Sequence, residues 1–156
     1  MATERDIEVV SAQLGRTPSA SFEVVVRSGD GTPVVIRNAP LMDDGTPMPT
    51  LYYLVDPGLI RRIGRLEAAG GVKRAESEIG LAEIERVHRR YAAERDALVD
   101  PAWEGPRPSG GVGGTRRGLK CLHSHYAYHL AGGDDPVGRW VHQRLEDNRD
   151  QEELGS

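Results

Sequence analysis

Apolar residues first recur at helical spacing. Ile7, Val10 and Leu14 share one face, and Gly15 supplies a stop, so a helix is predicted over 6–14. The period then changes. Phe22-Glu-Val-Val-Val-Arg27 is rich in β-formers, Ser28-Gly-Asp-Gly31 has turn chemistry, and Pro33-Val-Val-Ile-Arg37 returns. Residues 40–49 carry three prolines and an Asp-Gly pair and read as a loop. Thr50-Leu-Tyr-Tyr-Leu-Val55 reads as a third strand, its unbroken apolar run suggesting burial on both faces, or of one face against helices. Asp56 then fits a helix N-cap and Pro57 the first helical position. Leu59, Ile60, Ile63 and Leu66 form that helix's stripe, and Gly70-Gly71 ends it.

One long helix is predicted over 75–98, with Ile79, Ala82, Val87 and Tyr91 among its apolar positions. Glu83, Glu85, Arg86, Arg89, Arg90, Glu94 and Arg95 form a mostly solvated face. Residues 101–114 are Pro/Gly-rich and longer than an ordinary connection. A helix over 119–131 stops at Gly132-Gly133, and another over 137–146 carries Val137, Trp140, Val141 and Leu145. The expectation is a single α+β domain over 1–146, a three-stranded antiparallel sheet packed by several helices, followed by a frayed polar tail, 147–156.

Composition narrows the function. With aromatic residues at 5%, the core is built mainly from aliphatic side chains. A net charge of −4 argues against broad nucleic-acid binding. No apolar run reaches the ~20 residues that span a membrane, and the polar start carries no signal peptide. The single cysteine cannot form an internal disulfide, which points to a reducing cytoplasm.

The reactive residue types crowd into 110–129. Cys121, His125 and His129 recur every four residues, along one stripe of a helix, whereas His123 points nearly the opposite way. His125 and His129 have the i,i+4 spacing with which two imidazoles share a metal, and Cys121 with His125 forms a second such pair. Cys121 and His129 lie about 12 Å apart along a helix axis, so one ion would use one pair plus ligands from elsewhere, with Asp56 and His142 as candidates. A divalent metal such as zinc is the cofactor this set suggests. Alternatively, Cys121 at a helix start beside Arg116, Arg117 and Lys120 is a candidate catalytic nucleophile with His125 as base. No standard zinc signature is present, and a lone cysteine or a histidine beside tyrosines also serves simply as packing.

The preceding glycines, Gly110, Gly111, Gly113 and Gly114, suggest an anion cradle whose charge comes from Arg116, Arg117 and Lys120. The spacing is neither that of a Walker loop nor that of a dinucleotide fingerprint, and a flexible surface loop is the plainer alternative. His88 reads as exposed on a charged helix. Glu67 and Glu94 read as solvated carboxylates, although either could act as an acid in a pocket.

Several of these blocks together resemble one family. Gly45-Thr-Pro-Met-Pro-Thr-Leu-Tyr-Tyr-Leu-Val-Asp-Pro57, Arg65-Leu-Glu67, the stretch from Gly110 through Lys120-Cys-Leu-His-Ser-His125, and His129-Leu-Ala-Gly-Gly133 to Gly138 are similar to the DUF501 family. The resemblance runs from about Val10 to Gly138. It implies a bacterial protein, of a kind common in actinobacteria, in a family without an established activity whose genes often lie near cell-division and phosphatase genes. Many members carry Arg-Cys-Pro where this chain has Arg27-Ser28-Gly29, and Cys or His where it has Asp56. Asp56 keeps a metal ligand possible there, but Ser28 speaks against an all-thiolate or iron–sulfur site.

Three uses of the region follow as expectations. The first is a metal-binding or reactive-thiol site of Cys121, His125 and His129 with Asp56 and His123, hydrolytic if it is an enzyme. The second is a non-catalytic interaction or regulatory module, linked to cell division, with a protein partner. The third is a regulator that binds a small phosphate-bearing ligand or nucleotide through Arg116, Arg117 and Lys120.

Overall fold

The computed structural model describes residues 2–154, with side chains described through residue 149. Helix α1 (Glu4–Leu14) begins at a capping box in which Thr3 and Asp6 exchange side-chain-to-backbone hydrogen bonds, and it ends where Gly15 turns left-handed at φ 72°. Strands β1 (Phe22–Arg27) and β2 (Pro33–Asn38) form the expected antiparallel hairpin. Its register pairs Phe22 with Asn38 and Arg27 with Pro33, with irregularities near Val24–Val26. Strand β3 (Tyr52–Leu54) adds to the far side of β2, so the sheet order is β1-β2-β3.

Strand β2 is the most fully covered, on both faces. Val35 faces a core with Leu54, Ile63, Leu122, Val137 and Val141, while Ile36 faces Val10, Phe22 and Val55. Helix α1 therefore covers one face of the sheet and the later helices cover the other. On β3, Tyr52 and Tyr53 are only half-buried, because an edge strand has one neighbour fewer.

Helix α2 (Pro57–Ala68) starts as its sequence dictates, with the Asp56 carboxylate accepting from the Leu59 amide at 3.1 Å. The single helix predicted over 75–98 is instead two: α3 (Gly71–Ile79) and α4 (Leu81–Asp96). They break at Gly80, whose φ of 89° and ψ of 147° no helix contains. The solvated face of α4 has an exception, because Arg95 is only 1% exposed. A short 3-10 turn (Val112–Gly114) precedes α5 (His123–Leu130), which starts four residues later than predicted. Helix α6 (Pro136–Leu154) runs past the predicted stop at Glu146, so residues 147–154 are helical rather than frayed; 155–156 lie outside the described residues. Among the described residues no helix is long and apolar enough to cross a membrane.

Candidate metal centre

Ile60 and Glu67 sit seven residues apart on α2, two turns along one face. Opposite them, the chain arriving from the glycine-rich segment turns into α5 at His123. Glu67 is held at both oxygens. Its Oε2 accepts from the Leu122 amide at 2.8 Å, and its Oε1 lies 3.1 Å from His123 Nδ1. His123 Nε2 lies 3.1 Å from the Ile60 carbonyl oxygen. A carbonyl can only accept, so Nε2 carries the hydrogen and Nδ1 is the nitrogen left facing Glu67. Cys121 closes the group: one donor atom each from Glu67, Cys121 and His123 lie within 4.8 Å of one another, all three residues half-buried.

The electrostatics agree with the geometry. His123 is held above its usual pKa first by the Cys121 sulfur, with the Ile60 carbonyl and the Glu67 charge adding and burial opposing. Burial pushes the Cys121 thiol up, but hydrogen bonding to His123 and Ser124 outweighs it and the net direction is down. Ser124 Oγ stands 3.8 Å from the Cys121 sulfur.

This group differs from the stripe expected from spacing. Cys121 lies two residues ahead of α5, so no helical i,i+4 relation joins it to His125. His123, expected to point away from Cys121, is its partner. His125 is buried, with Nδ1 2.7 Å from Asp135, whose other oxygen accepts the Val137 and Gly138 amides at the start of α6. His129 packs its ring on Tyr126 and on His142, with centroids 6.1 and 5.5 Å apart. Asp56 is spent as the cap of α2. Of the residues singled out in the sequence, the structure thus brings Cys121 and His123 together and leaves His125, His129 and Asp56 out of the group. Glu67 joins them. Its signal was faint: a position sharing a face with Ile60, next to an apolar stripe.

The glycine-rich segment is tied down rather than loose. Val112 donates to His88 Nδ1 at 3.1 Å and His88 Nε2 meets the Gly118 carbonyl at 2.7 Å. Arg95 donates to the Gly110 and Pro49 carbonyls, and Glu76 accepts from the Leu119 amide. His88, read as exposed, is therefore buried because it is the peg of this loop. The amides of Gly111, Val112, Gly114 and Thr115 all donate within the protein, so they do not form an open anion cradle. A Cβ on Gly113 would stand 3.0 Å from Ser124 Oγ, so the loop lies directly against the Cys121 side of the group. Arg116, Arg117 and Lys120 are exposed on it.

The profile of the family described as "Protein of unknown function (DUF501)" matches residues 24–143. No curated protein and no solved structure matches the chain.

Proposed function

The chain belongs to the DUF501 family, a membership that brings no activity with it, and we propose from the site geometry that the protein binds a divalent transition metal, zinc foremost, through Cys121 Sγ, His123 Nδ1 and a Glu67 carboxylate oxygen. One observation carries this reading. His123 gives its Nε2 hydrogen to the Ile60 carbonyl, while Nδ1 faces a carboxylate at 3.1 Å. A lone pair and a carboxylate cannot face each other at that distance without a cation between them, either a proton or a metal. The proton is one occupant; the Cys121 sulfur, close to both, supports a metal as the other. Sulfur, imidazole and carboxylate together suit zinc.

The surroundings match those of a metal ligand. A ligating histidine gives its other N–H to a carbonyl or carboxylate, which fixes the tautomer, and Ile60 does this here. A ligating carboxylate is itself hydrogen-bonded, as Glu67 is by Leu122. A Cys–His–Glu catalytic relay would need Cys and Glu at opposite ring nitrogens, and Ile60 already occupies one of them. With only three protein donors, a zinc held by Glu67, Cys121 and His123 would stay open to a further ligand, as catalytic rather than closed structural sites do. When bound, such an ion would supply an acidified water and a Lewis acid toward an ester, so hydrolysis is the reaction class the site would serve.

The test is elemental analysis of untagged protein equilibrated with zinc and desalted, beside Cys121→Ser, His123→Ala and, as a control outside the group, His129→Ala. The wild type and His129→Ala should retain about one zinc per chain, and the other two variants should lose it. Zinc-free wild type, or retention by both site variants, overturns the reading.

A further inference from the structure

Several arginines elsewhere in the chain are paired with carboxylates: Arg27 with Asp6, Arg37 with Glu23, Arg139 with Asp134, Arg144 with Glu78. Arg116, Arg117 and Lys120 are not. Among the described residues their side chains make no ion pair and no hydrogen bond. Three unspent cations within five positions stand out in a chain of net charge −4. They are also next to the metal group: Lys120 adjoins Cys121, and the loop carrying all three touches Ser124 through Gly113.

The loop beneath them is held in place. His88, Arg95 and Glu76 fix its backbone at Gly110, Val112, Gly118 and Leu119, so the cations project from an ordered base and lose little backbone freedom on binding. The nearby carboxylates are already engaged, Glu67 with Leu122 and His123 and Glu76 with Leu119. The amides of Gly111, Val112, Gly114 and Thr115 are engaged as well, so an anion here would be held mainly by side chains.

We infer that the ligand of this site is a phosphomonoester dianion, its phosphoryl group facing the Cys121–His123–Glu67 group and its charge balanced by Arg116, Arg117 and Lys120. The inference rests on the metal reading above and adds the substrate class to it. Guanidinium groups suit phosphoryl oxygens because their paired N–H groups match two oxygens at once. A monoanionic ester of the same shape gains less from the same cations.

The experiment is calorimetric titration of the full, zinc-equilibrated chain with phenyl phosphate and, for comparison, phenyl sulfate, on wild type, Arg116→Gln/Arg117→Gln and Lys120→Gln, with zinc content measured on each sample. These side chains have no partners among the described residues, so the variants should fold and keep zinc. Phenyl phosphate should bind more tightly than phenyl sulfate, and the double variant should weaken it by at least about tenfold. A zinc-loaded wild type that binds neither ester, binds both equally, or is matched by the double variant overturns the inference and leaves the metal reading standing. A zinc-free wild type overturns the metal reading itself. Phenyl phosphate binding that survives zinc removal unchanged separates the cations from the metal and overturns the joint site.

Discussion

His125 Nδ1 and Asp135 Oδ2 lie 2.7 Å apart, with both side chains withdrawn from water at 1% and 0% exposure. The pair joins α5 to the first turn of α6, because the other Asp135 oxygen caps that helix. It is a structural tie, separate from the Glu67–Cys121–His123 group. Asp135→Ala leaves His125 without its partner and α6 without its cap. Leaving a buried polar group without its partner costs about 1–3 kcal/mol, and loss of a cap about 1 kcal/mol more. Denaturant unfolding should show a loss of that order, with zinc content per folded molecule unchanged.

Glu67→Gln tests the carboxylate alone. The amide keeps the shape and one acceptor oxygen but gives up the charge that balances a cation. Zinc affinity should fall by about tenfold or more, the scale on which even outer-shell partners act. A competition titration against a chromogenic chelator reads this, and an unchanged affinity would remove Glu67 from the ligand set.

His88 gives the loop a pH response. Burial leads in holding its pKa below the usual value, and the His125 charge adds to this, while the Gly118 carbonyl, Asp135 and Glu85 oppose. Its Nδ1 must stay unprotonated to accept from Val112. The unfolded chain therefore binds a proton here more readily than the folded chain. This contribution to stability is intact above about pH 6.5, the unperturbed value, and is lost as pH falls from there toward the lower folded value. Amide exchange at Val112 should accelerate over that window. In His88→Gln the same step should be absent.

Gly111 is required by close approach rather than by backbone conformation. Its φ is −101°, yet a Cβ there would sit 2.4 Å from the His88 side chain. Gly111→Ala should cost about 1–3 kcal/mol, as overpacking does. Gly29→Ala, with nothing within 4 Å, should be near neutral. Thermal unfolding of the two variants side by side checks the contrast.

Arg95 is the buried cation that the helical pattern placed in solvent. Its guanidinium donates to the Pro49 and Gly110 carbonyls and to Asp96. Arg95→Leu leaves two carbonyls without a donor, and each buried unsatisfied group costs about 1–3 kcal/mol. The expected readout is a lowered unfolding midpoint with faster proteolysis in 108–115.

The hairpin, α1 with its Gly15 stop and the Asp56–Pro57 start of α2 were legible because each depends on neighbours in sequence: a period of two, a left-handed glycine, a capping carboxylate. The break at Gly80 was missed because one glycine inside a helical pattern is tolerated as often as it terminates. The burial of His88 and Arg95 was missed because their partners are loop carbonyls and amides 15 to 46 residues away, which leave no periodic trace.

Local propensity and spacing encode the α+β class, the three-stranded sheet and the concentration of reactive residues in 110–129. Which of those residues meet was decided only by tertiary structure. Starting α5 at His123 removed Cys121 from the helical stripe, and docking α2 against that start brought Ile60 and Glu67 to the His123 ring. Helical spacing predicts neighbours only within one helix, whereas this group forms where a chain end and a second helix converge.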